Sequence, residues 1–302
     1  TIKRVARIGR DSQYTITATD IYGNKESKTI TVAQQTISDA NVMASLNPIN
    51  VKQSQPRDAV AIIIGIQNYK RVPQAEFANN DARAFYDYAI RGLGIKPKNI
   101  KLLIDEKADD VDIVKAFRNW LPIHVNRNKT DVYVFYSGHG LPSPDGKSLY
   151  FLPHGVDKDL LEFSAVSQQR IIKALNATQP RSVTMFIDSC YSGQSRSGEV
   201  LLASARPLVV EADETAFPSN FTVITASANN QISSSSPDLK HGIFSFYLMK
   251  GMEGDADIDQ DGKITNGEMQ EYLSDKVSRQ AMTLNRKQTP QLVGDNKRVL
   301  MR

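Results

Sequence analysis

The sequence predicts an α/β domain built on a mostly parallel sheet flanked by helices, with an N-terminal β-hairpin segment before it. Three observations carry that prediction. The run AVAIIIG from Ala59 is apolar throughout, which suits a strand buried on both faces. Two more apolar runs, DVYVFY and SVTMFID, recur later in the chain. Stretches of helical periodicity separate these runs, and strands that alternate with helices favour parallel pairing.

Taken in order, the chain opens on YTITATDIYGNKESKTITV, from Tyr14 to Val32, which alternates apolar and polar residues on either side of a Gly-Asn turn. This is a hairpin signal. Its apolar positions, Tyr14, Ile16, Ala18, Ile30 and Val32, require a further layer to cover them. Residues 35–57, rich in Gln, Asn and Ser with little periodicity, read as a linker or a loosely packed strap. After the strand at Ala59 the pattern gives a helix over 80–93, a short strand over 101–104, a helix over 109–121 and a strand over 131–136. Then come a helix over 167–175, strands over 182–188 and 221–226, and two helices over 243–252 and 266–282. Sheets of this kind form their sites beyond the carboxyl ends of the strands.

Composition excludes several classes. The formal charge of +4 over 302 residues is small, and Lys and Arg are dispersed, so nucleic acid is a poor partner. The longest apolar stretch, Ala59 to Ile66, falls far short of the roughly 20 residues of a spanning helix, so no membrane span is expected. The chain begins at a Thr just before the hairpin and reads as a fragment, with its natural start and any signal peptide lying upstream. A single cysteine allows no internal disulfide and draws attention to Cys190.

Two predicted strands end in loops with chemical potential. One runs into Ser137, Gly138, His139 and Gly140, the other into Ser189, Cys190, Tyr191, Ser192 and Gly193. A thiol attacks as the thiolate, and an imidazole beside it stabilises that form and later protonates the leaving amine. Flanking glycines let a substrate backbone come close.

The segments VYVFYSGHG and MFIDSCYSG closely resemble the His and Cys motifs of caspase-like peptidases, in the metacaspase version with Asp two residues before the Cys. The 51 residues from His139 to Cys190 agree with the upstream His of roughly 50 residues known for caspases. The resemblance continues through AVAIIIGIQNY, NNDARAF, SLYFLPHGVD, VITAS and HGIFSFYLMKG, and so covers essentially all of residues 58–302. It implies a caspase-like sheet, a cysteine endopeptidase acting on protein or peptide substrates, His139 and Cys190 as the catalytic pair, and an oxyanion hole from the amides of Gly140 and Cys190. It also implies a His oriented by backbone instead of by a third side chain. Residues 1–34 resemble, more weakly, the last strands of a bacterial immunoglobulin-like module, which favours an extracytoplasmic bacterial setting.

Caspases that cut after Asp carry Gln two residues before the Cys, whereas this chain has Asp188 there, as metacaspases do. A carboxylate facing the pocket attracts Arg or Lys and repels an acidic side chain. Asp81 matches a second acidic pocket residue, although Asn-Asp at a helix start is also a capping arrangement. His124, His154 and His241 have no partner at a metal-ligand spacing and read as structural.

Other readings of the same residues stand beside this one. Cys190 to Arg196 fits the Cys-five-residues-Arg spacing of a cysteine phosphatase loop, a design that makes no use of a glycine-flanked His139. A catalytically silent interaction or calcium-binding module on the same fold is a further alternative.

DIDQDGKITNGE, residues 257–268, has the EF-hand pattern. Oxygens of Asp257, Asp259, Asp261, the Lys263 carbonyl, Thr265 and Glu268 would surround calcium, with Gly262 at the sharp turn. Finally, residues 193–220 read as a long exposed loop open to self-cleavage. Arg196 is the favoured site there, because Pro207 spoils the bond after Arg206. Lys52 and Arg57 are secondary sites for release of the N-terminal segment.

Overall fold

In the computed structural model, which describes residues 12–19, 22–32, 45–142, 149–189, 217–228 and 231–302, the chain divides into two compact units, Thr1–Ala44 and Ser45–Arg302. In the first, β1 (Ser12–Thr19) and β2 (Lys25–Val32) pair antiparallel, with Ser12 opposite Val32 and Thr19 opposite Lys25. Gly23, at φ +87°, supplies the left-handed residue that the turn needs.

In the second unit the apolar runs become the middle of one sheet. Its strands are β3 (Ala59–Gly65), β4 (Ile100–Ile104), β5 (Asp131–Ser137), β9 (Ser182–Asp188), β10 (Phe221–Thr225) and β14 (Gln291–Gly294). The order across the sheet is β14-β10-β9-β5-β3-β4, parallel except for β14. Every residue of β3, β5 and β9 is buried, as a strand covered on both faces demands.

Alternate residues of each strand feed two cores. On one face Ala61, Ile63, Phe135, Phe186 and Ile224 pack with α1 (Ala78–Arg91), α6 (Ile243–Lys250) and α7 (Asn266–Thr283). On the other, Ile62, Val134, Met185 and Val223 pack with α2 (Asp110–Lys115), α3 (Leu121–His124) and α5 (Gln168–Ala177). Gly65 lets β3 and α1 touch, since a Cβ there would lie 2.4 Å from Ala82 Cβ and 2.5 Å from the Ala78 carbonyl.

Several elements depart from the sequence expectation. The helix over 109–121 is broken into α2, a π-helical turn at Ala116–Trp120 and α3. Pro122 explains the wide turn, because its ring conflicts with the carbonyl four residues back. The helix from Ile243 likewise ends in a π-helical turn, Gly251–Asp255, with Gly254 at φ +117°. The expectation also lacked β14 and three small sheets: β6 (Gly140–Pro142), β7 (Leu149–Phe151) and β8 (Val166–Ser167); β11 (Ser235–Ser236) with β12 (His241–Gly242); and β13 (Ile264–Thr265) with β15 (Val299–Met301).

Residues 45–57 lie against this sheet-and-helix body. Val51 is buried, Ser54 donates its N–H to the Arg91 carbonyl at 2.8 Å, and Arg57 donates to the Gly94 carbonyl at 3.1 Å. Asn47 donates its N–H to Glu253 at 2.8 Å.

Candidate active site

β5 and β9 are neighbours in the sheet, with Ser137 directly opposite Asp188. The loops that follow them therefore leave the carboxyl edge side by side, and the Gly138 N–H reaches the Asp188 carbonyl at 3.3 Å. His139 sits in the first loop and buried Ser189 in the second. Cys190, which follows Ser189, lies outside the described residues, as do Arg196 and Arg206 of the predicted cleavage loop.

His139 is 1% exposed and fixed from several sides. Its N–H donates to the Tyr69 hydroxyl at 2.8 Å, and its carbonyl accepts from the Tyr136 hydroxyl at 2.6 Å and from the Leu152 N–H at 3.0 Å. The imidazole lies 4.8 Å from the Tyr69 ring, centroid to centroid. Its Nε2 is 2.9 Å from the Pro73 carbonyl oxygen. A carbonyl only accepts, so Nε2 carries hydrogen, and in the neutral ring Nδ1 holds the lone pair that can take a proton. Gly138 makes room for this arrangement: a Cβ there would lie 2.7 Å from the Tyr69 hydroxyl.

Tyr69 and Pro73 belong to the loop after β3, and one carboxylate organises its start. Buried Asp105 accepts from the N–H groups of Gln67 at 2.8 Å and Asn68 at 2.9 Å, and from the side-chain amides of Asn68 and Asn79. The Gln67 side chain in turn accepts the Phe77 N–H at 2.9 Å. Phe77, at φ +64°, then turns the chain into α1. None of Tyr69, Pro73 or Asp105 stands out in the sequence as a functional residue.

The two predicted pocket acids are both fully buried. Asp188 Oδ1 accepts from the Ser233 hydroxyl at 2.5 Å, and Oδ2 accepts from the Ser245 N–H at 3.2 Å and the Ser245 hydroxyl at 2.5 Å. Asp81 accepts from the Ser137 hydroxyl at 2.8 Å, from His241 Nδ1 at 2.9 Å and from the Gly242 N–H at 3.1 Å. Asp81 does not cap its helix, since Phe77 is the N-cap and makes no side-chain capping bond. His241, expected only to pack, touches this carboxylate. His124 and His154 bond instead to the carbonyls of Trp120 and Asn68. Ser137, opposite Asp188 and bonded to Asp81, ties the two acids to the strand that leads into His139. Gly140, the predicted oxyanion donor, is buried at the head of β6, opposite Phe151.

A family model described as the caspase domain matches residues 58–300. The chain belongs to the caspase family. Solved structures agree at the level of fold. Caspase-1 from Spodoptera frugiperda superposes with a TM-score of 0.54 at 14% identity, over 82% of this chain and 91% of that one. A protein from Geobacter sulfurreducens does so at 0.53 and 15%, over 78% and 94%. A comparison with curated proteins gives no match.

On the far side of α6, its π-helical turn runs into the acidic loop at 257–268. Carboxylate oxygens of Asp257, Asp259 and Asp261 lie within 4.8 Å of one another. Gly262, at φ +79°, makes the turn, and its N–H reaches Asp257 Oδ2 at 3.0 Å. The other oxygen, Asp257 Oδ1, is buried with no hydrogen-bond partner. Asp261 pairs with Lys263 Nζ at 3.0 Å. Thr265 caps α7, and Glu268 completes a capping box with it while accepting the Ile258 N–H at 3.2 Å. An oxygen-only donor set with one buried oxygen unpartnered fits a hard divalent cation. Within the loop, Ile264 pairs with Met301, so β15 braces it.

Proposed function

We propose that this caspase-family chain is a cysteine endopeptidase that cuts after Arg or Lys through a Cys190–His139 dyad. The observation that carries the specificity is the gathering of two buried carboxylates, Asp81 and Asp188, behind the His139 loop. Anions fixed by hydroxyl and amide donors offer a guanidinium or ammonium group charge-assisted partners, and they disfavour an acidic residue at the same place.

In this scheme Nδ1 of His139 takes the thiol proton and the Cys190 sulfur adds to the scissile carbonyl. The amides of Gly140 and Cys190 hold the resulting oxyanion. The C–N bond then breaks as His139 returns the proton to the departing amine, and water releases the acyl group from sulfur. The Pro73 carbonyl keeps the ring turned for this exchange, so no third side chain is required. Self-processing follows from the same specificity, with the bond after Arg196 as the proposed site. Calcium held by Asp257, Asp259, Asp261, Lys263, Thr265 and Glu268 is proposed as a bound cofactor of the domain and has no part in the bond-making steps.

The test is labelling with an arginyl electrophile followed by mass spectrometry. Modification of Cys190 in the wild type, absent from folded His139→Ala protein and weak with an aspartyl analogue, supports the assignment. Equal labelling by the aspartyl reagent overturns the pocket, and folded Cys190→Ala protein that still cleaves overturns the dyad. New N-termini beginning at Ser197 in wild type alone would mark self-cleavage. A fully active, intact chain would exclude it.

A further inference from the structure

A cavity of about 800 Å³ lies at the amino ends of the sheet strands, the opposite edge from His139. Asp58, Asp131 and Ser182, at or beside the starts of β3, β5 and β9, line the cavity together with residues 52–57, 298–300 and 302. Five cations line it: Lys52, Arg57, Arg181, Arg298 and Arg302.

The two carboxylates of the lining offset only part of this charge. Asp131 receives Arg181 through Nε, at 2.8 Å, and through Nη2, and it also accepts the Ser182 hydroxyl at 2.7 Å. Asp58 accepts from the Thr130 hydroxyl at 2.7 Å and from the Asn126 amide at 3.2 Å. Arg57 and Arg298 bond to carbonyls, which carry no charge to cancel theirs. Arg57 donates to the Leu300 carbonyl at 3.3 Å and Arg298 to the Asn220 carbonyl at 3.0 Å, with Asp295 no nearer to Arg298 than 3.8 Å. Tyr133, also in the lining, is a neutral phenol, because burial, with Asp131 beside it, pushes it up to about 12.

We propose that this cavity is a binding site for a small oligophosphate anion. The size lies within the roughly 300–1,000 Å³ of small-molecule sites, which favours a compact ligand over an extended chain. The excess positive charge requires an anion with more than one charge, and guanidinium forks match the paired oxygens of phosphate groups. No step of the proposed peptide cleavage uses these residues, so the site is independent of the dyad.

The experiment is calorimetric titration of the full chain with tripolyphosphate in calcium-free buffer of low ionic strength. Saturable one-to-one binding is expected, and each of Arg57→Gln and Arg298→Gln should weaken it about tenfold, the loss of one charge-assisted contact. Lys52→Gln, which removes a charge without touching the hydrogen bonds above, should also weaken binding and serves if an arginine variant unfolds. Lys101→Gln, outside this cavity, should leave affinity unchanged. Citrate, a carboxylate anion of comparable charge, should bind more weakly. Absent or non-saturable binding, affinity indifferent to Lys52→Gln, or citrate binding as tightly as tripolyphosphate would each overturn the assignment.

Discussion

Ser245 gives both its backbone N–H and its hydroxyl to one oxygen of Asp188, at 3.2 and 2.5 Å. The first turn of α6 thus bonds to the carboxylate just before Ser189 and Cys190. Asp188→Asn should therefore do more than remove a charge, because an amide nitrogen cannot accept where the carboxylate did. Cleavage after Arg should fall by about tenfold or more in kcat/KM, chiefly through KM, since the lost interaction holds substrate before the reaction begins. Steady-state kinetics on arginyl and neutral peptides checks this, and an equal loss on both would point to a folding defect.

Tyr69→Phe keeps the ring beside His139 but removes the hydroxyl that accepts its N–H. The variant should lose about 1 kcal/mol of stability. With His139 as the proposed base, turnover should drop while KM changes little, because the hydroxyl holds the His139 backbone. A variant with wild-type kcat would show that Pro73 alone suffices to hold the ring.

Millimolar calcium should raise the Tm by mass action, with Asp257→Ala or Glu268→Ala cancelling the gain. Glu268 already serves the α7 cap, so Glu268→Ala should also lower the Tm of the metal-free protein. Asp257→Ala should lower it less, since the lost bond from the Gly262 N–H is offset by removal of an oxygen buried without a partner. Differential scanning calorimetry with and without chelator separates the two variants.

Acid should weaken the fold partly through Glu253, whose side chain is 3% exposed. Burial alone would raise its pKa, but hydrogen bonds from Lys250, Tyr88, Asn47 and Asn50 outweigh that and hold the carboxyl below its ordinary value. A lowered folded-state value means that the contribution is complete above the unfolded value of 4.5 and is lost as pH falls through the folded one. Glu253→Gln should be less stable at neutral pH and show a flatter decline below about pH 4.5. Parallel curves for wild type and variant in urea titrations across that range would refute this.

The centre of the fold is legible because β3, β5 and β9 are covered on both faces, and full burial writes itself as unbroken apolar runs. β14 and β15 are not, since both are short, β14 is partly exposed, and their pairing depends on distant partners. The same contrast divides the site. His139 and Asp188 stand at the ends of readable strands. Tyr69, Pro73, Asp105 and His241 matter only through contacts across long sequence separations, such as the 160 residues between Asp81 and His241. Local pattern carries no trace of such pairs. Residues 45–57 are mostly polar and aperiodic, and their attachment rests on backbone hydrogen bonds, buried Val51 and the partly buried Leu46, too few apolar side chains to make a pattern.

The order β14-β10-β9-β5-β3-β4 also bears on how the chain acquires its structure. Each parallel pair joins strands that lie far apart in sequence, and β10 waits for β14 near the end of the chain. Contacts this remote in sequence carry their loop-closure entropy before they return stabilisation, so the rate of folding is set by topology more than by final stability. The side-by-side placement of the His139 loop and Asp188 is a product of the β5–β9 pairing. It comes into being only when that non-local step is complete, so under the proposed function an incompletely folded chain would lack the means to cut anything, itself included.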